Sequence, residues 1–242
     1  MVDRSPPESK KDLIQGGFLV FRSTNMTTQL RGINWFQDRL LAWAKHNLRD
    51  YPWRKTTNPY SIMVAEILLQ RSDADTVASR YETFIARYPS LNKLANAKLE
   101  DIKTILQPLG LFFRADRLSQ TAKILVENQR EIPQEETELL KLPGIGKYTA
   151  RAICSQAFGQ PVAVLDTNVI RILERFFGIQ GSRVKSRCKI LWSAAQTVAP
   201  QTEVGYWNLT LLDFGAKVCT ARNPKCCECP LSSRCCWFEF ND

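Results

Sequence analysis

The stretch Leu142–Ile153, LPGIGKYTARAI, decides how the rest of the chain is read. Pro143, Gly144 and Gly146 fall within four residues, and a helical pattern begins directly behind them. Proline cannot continue a helix, so a helix over 135–142 should stop there. Gly144 and Gly146 can take positive φ and leave the backbone uncovered. The amides from Gly144 to Lys147 then point outward at the start of a helix running to about Phe158, where unpaired N–H groups and the helix dipole favour an anion. Lys141, Lys147 and Arg151 would add positive charge. Helix, turn and helix read this way form a clasp for a phosphate, held without any reading of bases. The same residues also make an ordinary tight turn between two helices.

Composition narrows the choice. At 242 residues the chain holds one large domain or two small ones, and 44% apolar with 24% charged residues is ordinary for a globular protein. The 33 basic residues exceed the 24 acidic ones, for a net charge of +9. An enzyme of small metabolites has no need of that excess, whereas nucleic acid or an anionic membrane surface attracts it. No apolar run approaches the roughly 18 residues of a membrane span. The opening MVDRSPPESKKDLIQGG lacks the apolar core of an export signal. The expected location is the cell interior, on the nucleoid in the cytoplasm or in a nucleus.

Residues 1–32 have loop-like chemistry and are expected to be a flexible extension. From Asn34 the pattern turns helical. Asn34 and Gln37 have capping-box spacing, and Phe36, Leu40 and Trp43 share a face. Further helical segments are predicted from Ser61 to about Arg71 and near 74–87, 99–107, 114–128, 135–142, 147–158, 167–177 and 184–198. Only PVAVL, 161–165, reads as extended, and there is no internal repeat. The expected fold class is all-α, built of many short helices. The single histidine, His46, reads as a surface residue.

Six of the eight cysteines fall between Cys219 and Cys236. Cys219, Cys226, Cys229 and Cys235 have the spacing C-x6-C-x2-C-x5-C, which can enclose one metal centre. A [4Fe–4S] cluster takes four such thiolates. Zinc is the rival, although zinc ribbons usually carry two C-x2-C knuckles and this tail has one. Cys227 and Cys236 read as spare, and Cys154 and Cys188 as small core residues.

Two carboxylates stand out from apolar surroundings. Glu66 interrupts IMVAEILL, where it is either a chemical group or, with Gln70 and Asp73, the polar stripe of a helix. Asp166 ends VAVL and precedes TNVIRIL, a helix-capping position. A capping carboxylate that accepts backbone N–H groups is expected to keep a low pKa, which suits stabilising a cation.

From YPWR (51–54) to Cys235, about 185 residues, the chain resembles the endonuclease III/MutY superfamily of DNA glycosylases. LPGIGKYTA is similar to that superfamily's helix–hairpin–helix, and the cysteine spacing is the one its [4Fe–4S] members carry. The resemblance implies an iron–sulfur cluster on Cys219, Cys226, Cys229 and Cys235, with Arg222 and Lys225 on a loop resting on the DNA backbone. NPYSIMVAEILLQRS looks like the segment with the catalytic glutamate, which falls on Glu66; VLDTNVIRIL looks like the one with the essential aspartate, which falls on Asp166. GLFFRADRL corresponds to the loop that enters the minor groove, so Leu111 or Phe112 would fill the space left by an extruded base. Gln70 and Arg71 stand where related enzymes probe the opposite strand; Arg71-Ser72 departs from the usual Gln-Thr. The implied architecture has a six-helix domain at 55–161, inserted between pieces of a cluster domain at 33–54 and 162–242, with a DNA cleft between.

Tyr148 separates groups within the superfamily. Bifunctional members carry there a lysine that forms a Schiff base and cleaves the strand. A phenol cannot do so, and Lys147 is rotated by about 100° around the helix. Little strand cleavage is therefore expected. Tyrosine at this position resembles the thymine/uracil mismatch glycosylases, to which NPYSIMVAEILLQRS and LDFGAKVC also look close. There it would line the base pocket, although it also suits a structural helix position. The sequence stops seven residues after Cys235, so the further domain with which adenine glycosylases read 8-oxoguanine is not expected. The expectation is a monomeric, monofunctional glycosylase acting on thymine or uracil opposite guanine in double-stranded DNA, without a membrane role. An adenine glycosylase is the alternative, and a non-catalytic DNA-binding protein a more distant one.

Overall fold

The structure is a computed structural model, and it describes residue 30, residues 32–110 and residues 112–241. The expectations for residues 1–29, Arg31 and Leu111 therefore lie outside the described residues, whereas Leu30, expected in the flexible extension, is buried in an apolar cluster. Among the described residues there is no β-strand, 161–165 included, and no helix long and apolar enough to cross a membrane.

The helices are α1 (Ile33–Ala44), α2 (Pro59–Leu68), α3 (Ala74–Arg87), α4 (Leu91–Ala95), α5 (Leu99–Leu106), α6 (Phe113–Glu127), α7 (Glu136–Leu139), α8 (Lys147–Ala157), α9 (Thr167–Phe177), α10 (Lys189–Thr197), α11 (Val204–Lys217) and α12 (Cys236–Asn241). α2 begins where Asn58 accepts a hydrogen bond from the Ser61 amide and Pro59 supplies a preset φ. It is buried from Ile62 to Leu68, as expected of a helix apolar on all sides, and its one charged side chain is Glu66.

Buried apolar side chains gather in two clusters. One is centred on α2 and includes Phe84, Leu118 and Ile153; the other joins Phe36 and Leu40 of α1 to α9, α10 and α11. In the second, Phe36 lies against Phe176, Phe177 and Trp207, with ring centroids 4.7, 5.0 and 5.8 Å away. α8 packs on α2 from one cluster and on α11 from the other. A second tie is ionic. Asp213 of α11 is wholly buried and pairs with Arg49 and Arg54 at 2.7 Å each. Arg54 follows Trp53, which stacks on Tyr51 within the first cluster. Tyr51 and Trp53 thus pack in the apolar cluster centred on α2, whereas the sequence reading grouped 33–54 with the cysteine-rich piece.

Several local expectations change. α1 is not opened by a capping box: Gly32 takes the N-cap position without a side-chain bond, and Gln37 instead donates to the Val198 carbonyl at 3.0 Å. The helix expected over 135–142 is only α7, which stops four residues before Pro143. The segment 184–198 begins as a short 3-10 turn, Lys185–Arg187, before α10. α11 carried no clear sequence signal, because Asn208, Thr210 and Asp213 are buried polar residues on what reads as its apolar face.

Candidate active site and nucleic-acid interface

Three groups meet where α2, α8 and the start of α9 converge. Glu66 is buried, and its Oε1 accepts a hydrogen bond from Gln156 Nε2 at 3.3 Å. Its Oε2 and the Nε of Arg54 are buried without a partner among the described residues. Burial pushes the Glu66 carboxyl up to about 7, opposed by the Gln156 bond and the charge of Arg54 and reinforced by Asp166. At neutral pH it can therefore both hold and release a proton.

Asp166 caps α9: Oδ1 accepts from the Val169 amide at 2.8 Å, and Oδ2 from Asn168 Nδ2 at 2.8 Å. The capping expected from sequence is present, but the expected low pKa is not. Burial outweighs the donors and holds this carboxyl above the ordinary aspartate value. Asn168 is itself fixed by Arg171, whose Nη2 donates to Asn168 Oδ1 and to the Gly215 carbonyl, both at 2.7 Å. Arg171 Nε donates to the Cys219 carbonyl at 2.7 Å, so the chain Asp166–Asn168–Arg171 ends at the cysteine tail. A Cβ on Gly215 would fall 2.5 Å from that of Asn168, which explains a glycine inside α11.

Tyr148, the second residue of α8, feels Glu66, Asp166 and Arg54. Burial, then the two carboxylates, hold its hydroxyl protonated far above the usual phenol range. Glu66, Tyr148 and Asp166, spread over 100 positions of sequence, thus share one electrostatic environment. Sequence reasoning gave no role to Gln156, Asn168 or Arg171. Only the folded chain brings them to the carboxylates.

At the hairpin, Gly144 takes φ 78°, and a Cβ there would fall 2.3 Å from Arg117 Cδ. Gly146 differs from expectation: it is extended, at φ −94° and ψ 177°, and faces open space as the N-cap of α8. Lys147 is exposed, with its Nζ 4.3 Å from the Trp192 ring centroid. Lys141 and Arg151 are committed elsewhere. Lys141 pairs with Glu138 at 2.5 Å, and Arg151 with Glu136 at 3.0 Å. Gln70 turns inward, donating to the Gly144 carbonyl at 2.8 Å, whereas Arg71 is exposed in the left-handed region at φ 58°. Phe112 is 51% exposed. Its neighbour Arg114 is buried and donates to the Leu68, Leu109 and Gly110 carbonyls and to Ser72 Oγ.

In the tail, Cys219, Cys226, Cys229 and Cys235 are half-buried, and Cys227 is exposed. Burial pushes the Cys229 thiol up to about 11, and Cys219, Cys235 and Cys226 each push it further, so the four sulfurs lie within electrostatic reach of one another. Arg175 Nη1 lies 3.5 Å from Cys219 Sγ and donates to the Thr220 carbonyl at 2.7 Å. Among the described residues no three metal-ligating groups close on a single-ion site. Arg222 and Lys225 are exposed, as is His46.

The chain is similar to known proteins in sequence and in fold. Residues 64–196 match the HhH-GPD superfamily base excision DNA repair protein family. A thymine/uracil-DNA glycosylase of Pyrobaculum aerophilum is 38% identical over 216 residues, covering 86% of this chain and 94% of its own. An adenine DNA glycosylase of Buchnera aphidicola is 36% identical over 203 residues, which cover 83% of this chain but 58% of that protein. The solved structure of a thermostable thymine-DNA glycosylase superposes with a TM-score of 0.82 at 32% identity, over 88% of this chain and 98% of the other. The hairpin between α7 and α8 and the helices packed around it are thus a shared framework, and the chain belongs to the HhH-GPD superfamily of base excision DNA repair proteins.

Proposed function

We propose that the protein is a monofunctional mismatch DNA glycosylase that hydrolyses the N-glycosidic bond of thymine or uracil opposite guanine. The observation that carries this reading is Tyr148 beside Glu66 and Asp166, with no amine in the group. The hairpin amides and Lys147 hold a phosphate of the damaged strand, and the target nucleotide is turned out of the stack toward Tyr148. Phe112, with Leu111, fills the gap it leaves. The C1′–N1 bond breaks with its electron pair passing to the base. Glu66, in the protonated form that burial keeps populated up to about pH 7, hydrogen-bonds to the departing carbonyl, and Asp166 faces the cationic sugar. Water adds to C1′, and its proton leaves to the carboxylate side or to solvent. No group here forms an imine, so the product is an intact strand with an abasic site.

The cysteine tail fits a [4Fe–4S] cluster in its donor chemistry: four half-buried cysteine sulfurs lie within electrostatic reach of one another, with Arg175 Nη1 3.5 Å from Cys219 Sγ. When bound, such a cluster supplies a cross-link that shapes the loop carrying Arg222 and Lys225, and the reaction above needs no electron transfer from it. The protein acts as a monomer inside the cell.

The test is single-turnover release of uracil from a G·U duplex. Asp166→Asn should lower the rate by at least about 100-fold while leaving duplex affinity within a few-fold. Substantial release by that variant would overturn the role of Asp166. The second reading, adenine excision, is favoured by Glu66, since a proton donor assists a purine leaving group most; it predicts adenine release and none of uracil.

A further inference from the structure

One arginine joins the three parts that the reading above brings to DNA. Arg117 lies one turn into α6, whose first residue, Phe113, follows Phe112 of the intrusion segment. Its guanidinium carbon sits 4.4 Å from the Phe113 ring centroid. Its stem covers Gly144, closely enough that any side chain there would collide with Cγ and Cδ. Its Nη1 donates to Gln70 Oε1 at 2.8 Å, and Gln70 Nε2 donates on to the Gly144 carbonyl at 2.8 Å. One turn further, Thr121 Oγ1 donates to the Pro143 carbonyl at 3.3 Å. Both polar ends of the Gln70 side chain are therefore used within the protein.

We propose that Arg117, acting through Gln70, is a positioning residue that locks the hairpin turn to the intrusion segment and to the Arg71 corner. The inference rests on the reading of the hairpin as a phosphate clasp. Gln70 is then a latch rather than a probe of the opposite strand, and Arg71, the next residue, remains free to reach outward. Two hydrogen bonds in series transmit position only while both are made, so losing either has the same effect as losing both. Phosphate capture and intrusion become one event because the two surfaces share a rigid joint.

The test is a double-mutant cycle on the full-length protein with a G·U duplex, using Arg117→Met, which keeps the stem over Gly144, and Gln70→Ala. Single-turnover release at saturating enzyme should fall about ten-fold in each variant and about ten-fold, not 100-fold, in the double variant. Arg117→Lys, which can still donate to Gln70, should recover most of the rate. Fluorescence of a 2-aminopurine beside the uracil should show less unstacking in Arg117→Met at equal bound fraction, a change that simple loss of stability does not produce. Additive losses, or wild-type rates in Arg117→Met, would overturn the latch. Hydrogen exchange on DNA-free protein provides a check independent of substrate: Arg117→Met should accelerate exchange at 144–147 and at 112–115 together, and unchanged exchange at both sites also overturns it. Gly146→Glu separates the two levels, because it places a charge at the clasp without touching the latch. Undiminished duplex affinity in that variant defeats the clasp and the inference together; weakened affinity there with additive losses in the cycle defeats the latch alone.

Discussion

Glu66 is the residue whose setting departs furthest from that of an ordinary carboxylate. Its pKa of about 7 lies above the usual 4.5, so between those values the folded protein keeps a proton that the unfolded chain gives up. Stability from this group is therefore greatest below about pH 4.5 and is lost as the pH rises through 7. Glu66→Gln removes that loss: relative to wild type, the variant should gain a few kcal/mol between about pH 5 and pH 8, read from urea unfolding. A difference that does not change with pH would contradict the buried-acid assignment. The rate of base release should also fall as the pH rises through about 7, and Glu66→Gln should lose that limb. The sequence made Glu66 visible as one charge in an apolar run, and Asp166 as a cap. It did not reveal the depth of their burial, because Arg54 and Gln156, which set the environment of Glu66, come from segments 12 residues before it and 90 after it.

Among the elements, the hairpin is where local chemistry and packing agree most closely. Gly144 has both a left-handed backbone and no room for a Cβ, whereas Gly146 has neither restriction. Gly144→Ala should therefore cost about 1–3 kcal/mol of stability and weaken duplex binding, while Gly146→Ala should change stability by less than about 0.5 kcal/mol. Equal effects in thermal unfolding would contradict this division. The turn was legible because proline and glycine act locally. Its charge was less so: Lys141 and Arg151 look like phosphate ligands in sequence, yet Glu138 and Glu136 occupy them. α11 shows the opposite failure. Its buried Asn208 donates to Ser155 and Val162 and accepts from Val164, so a polar residue does core work that periodicity cannot register.

At the scale of the molecule, the two apolar clusters are joined by α8 and by the pairing of Asp213 with Arg49 and Arg54. Burial pushes the Asp213 carboxyl up, but hydrogen bonds from both arginines hold it below the ordinary value, so the joint weakens on acidification as that carboxylate is protonated. Asp213→Asn leaves two guanidinium groups without a counter-charge and should cost about 3–5 kcal/mol. Arg54 also faces Glu66, so the same variant should shift the pH limb of base release, which a purely structural joint would leave in place. The cysteine tail makes a separate claim on the whole molecule: protein bearing the cluster should be brown, with absorbance near about 400 nm, and Cys229→Ser should remove both the colour and the order of the loop around Arg222. The central claim is that Tyr148 marks a pyrimidine-specific, strand-sparing enzyme. It is tested most directly by single-turnover base release from labelled duplexes carrying G·T, G·U, A·G and A·8-oxoguanine, each analysed with and without alkali. The account predicts cleavage confined to G·T and G·U and visible only after alkali; release of adenine, or strand breaks without alkali, would contradict it.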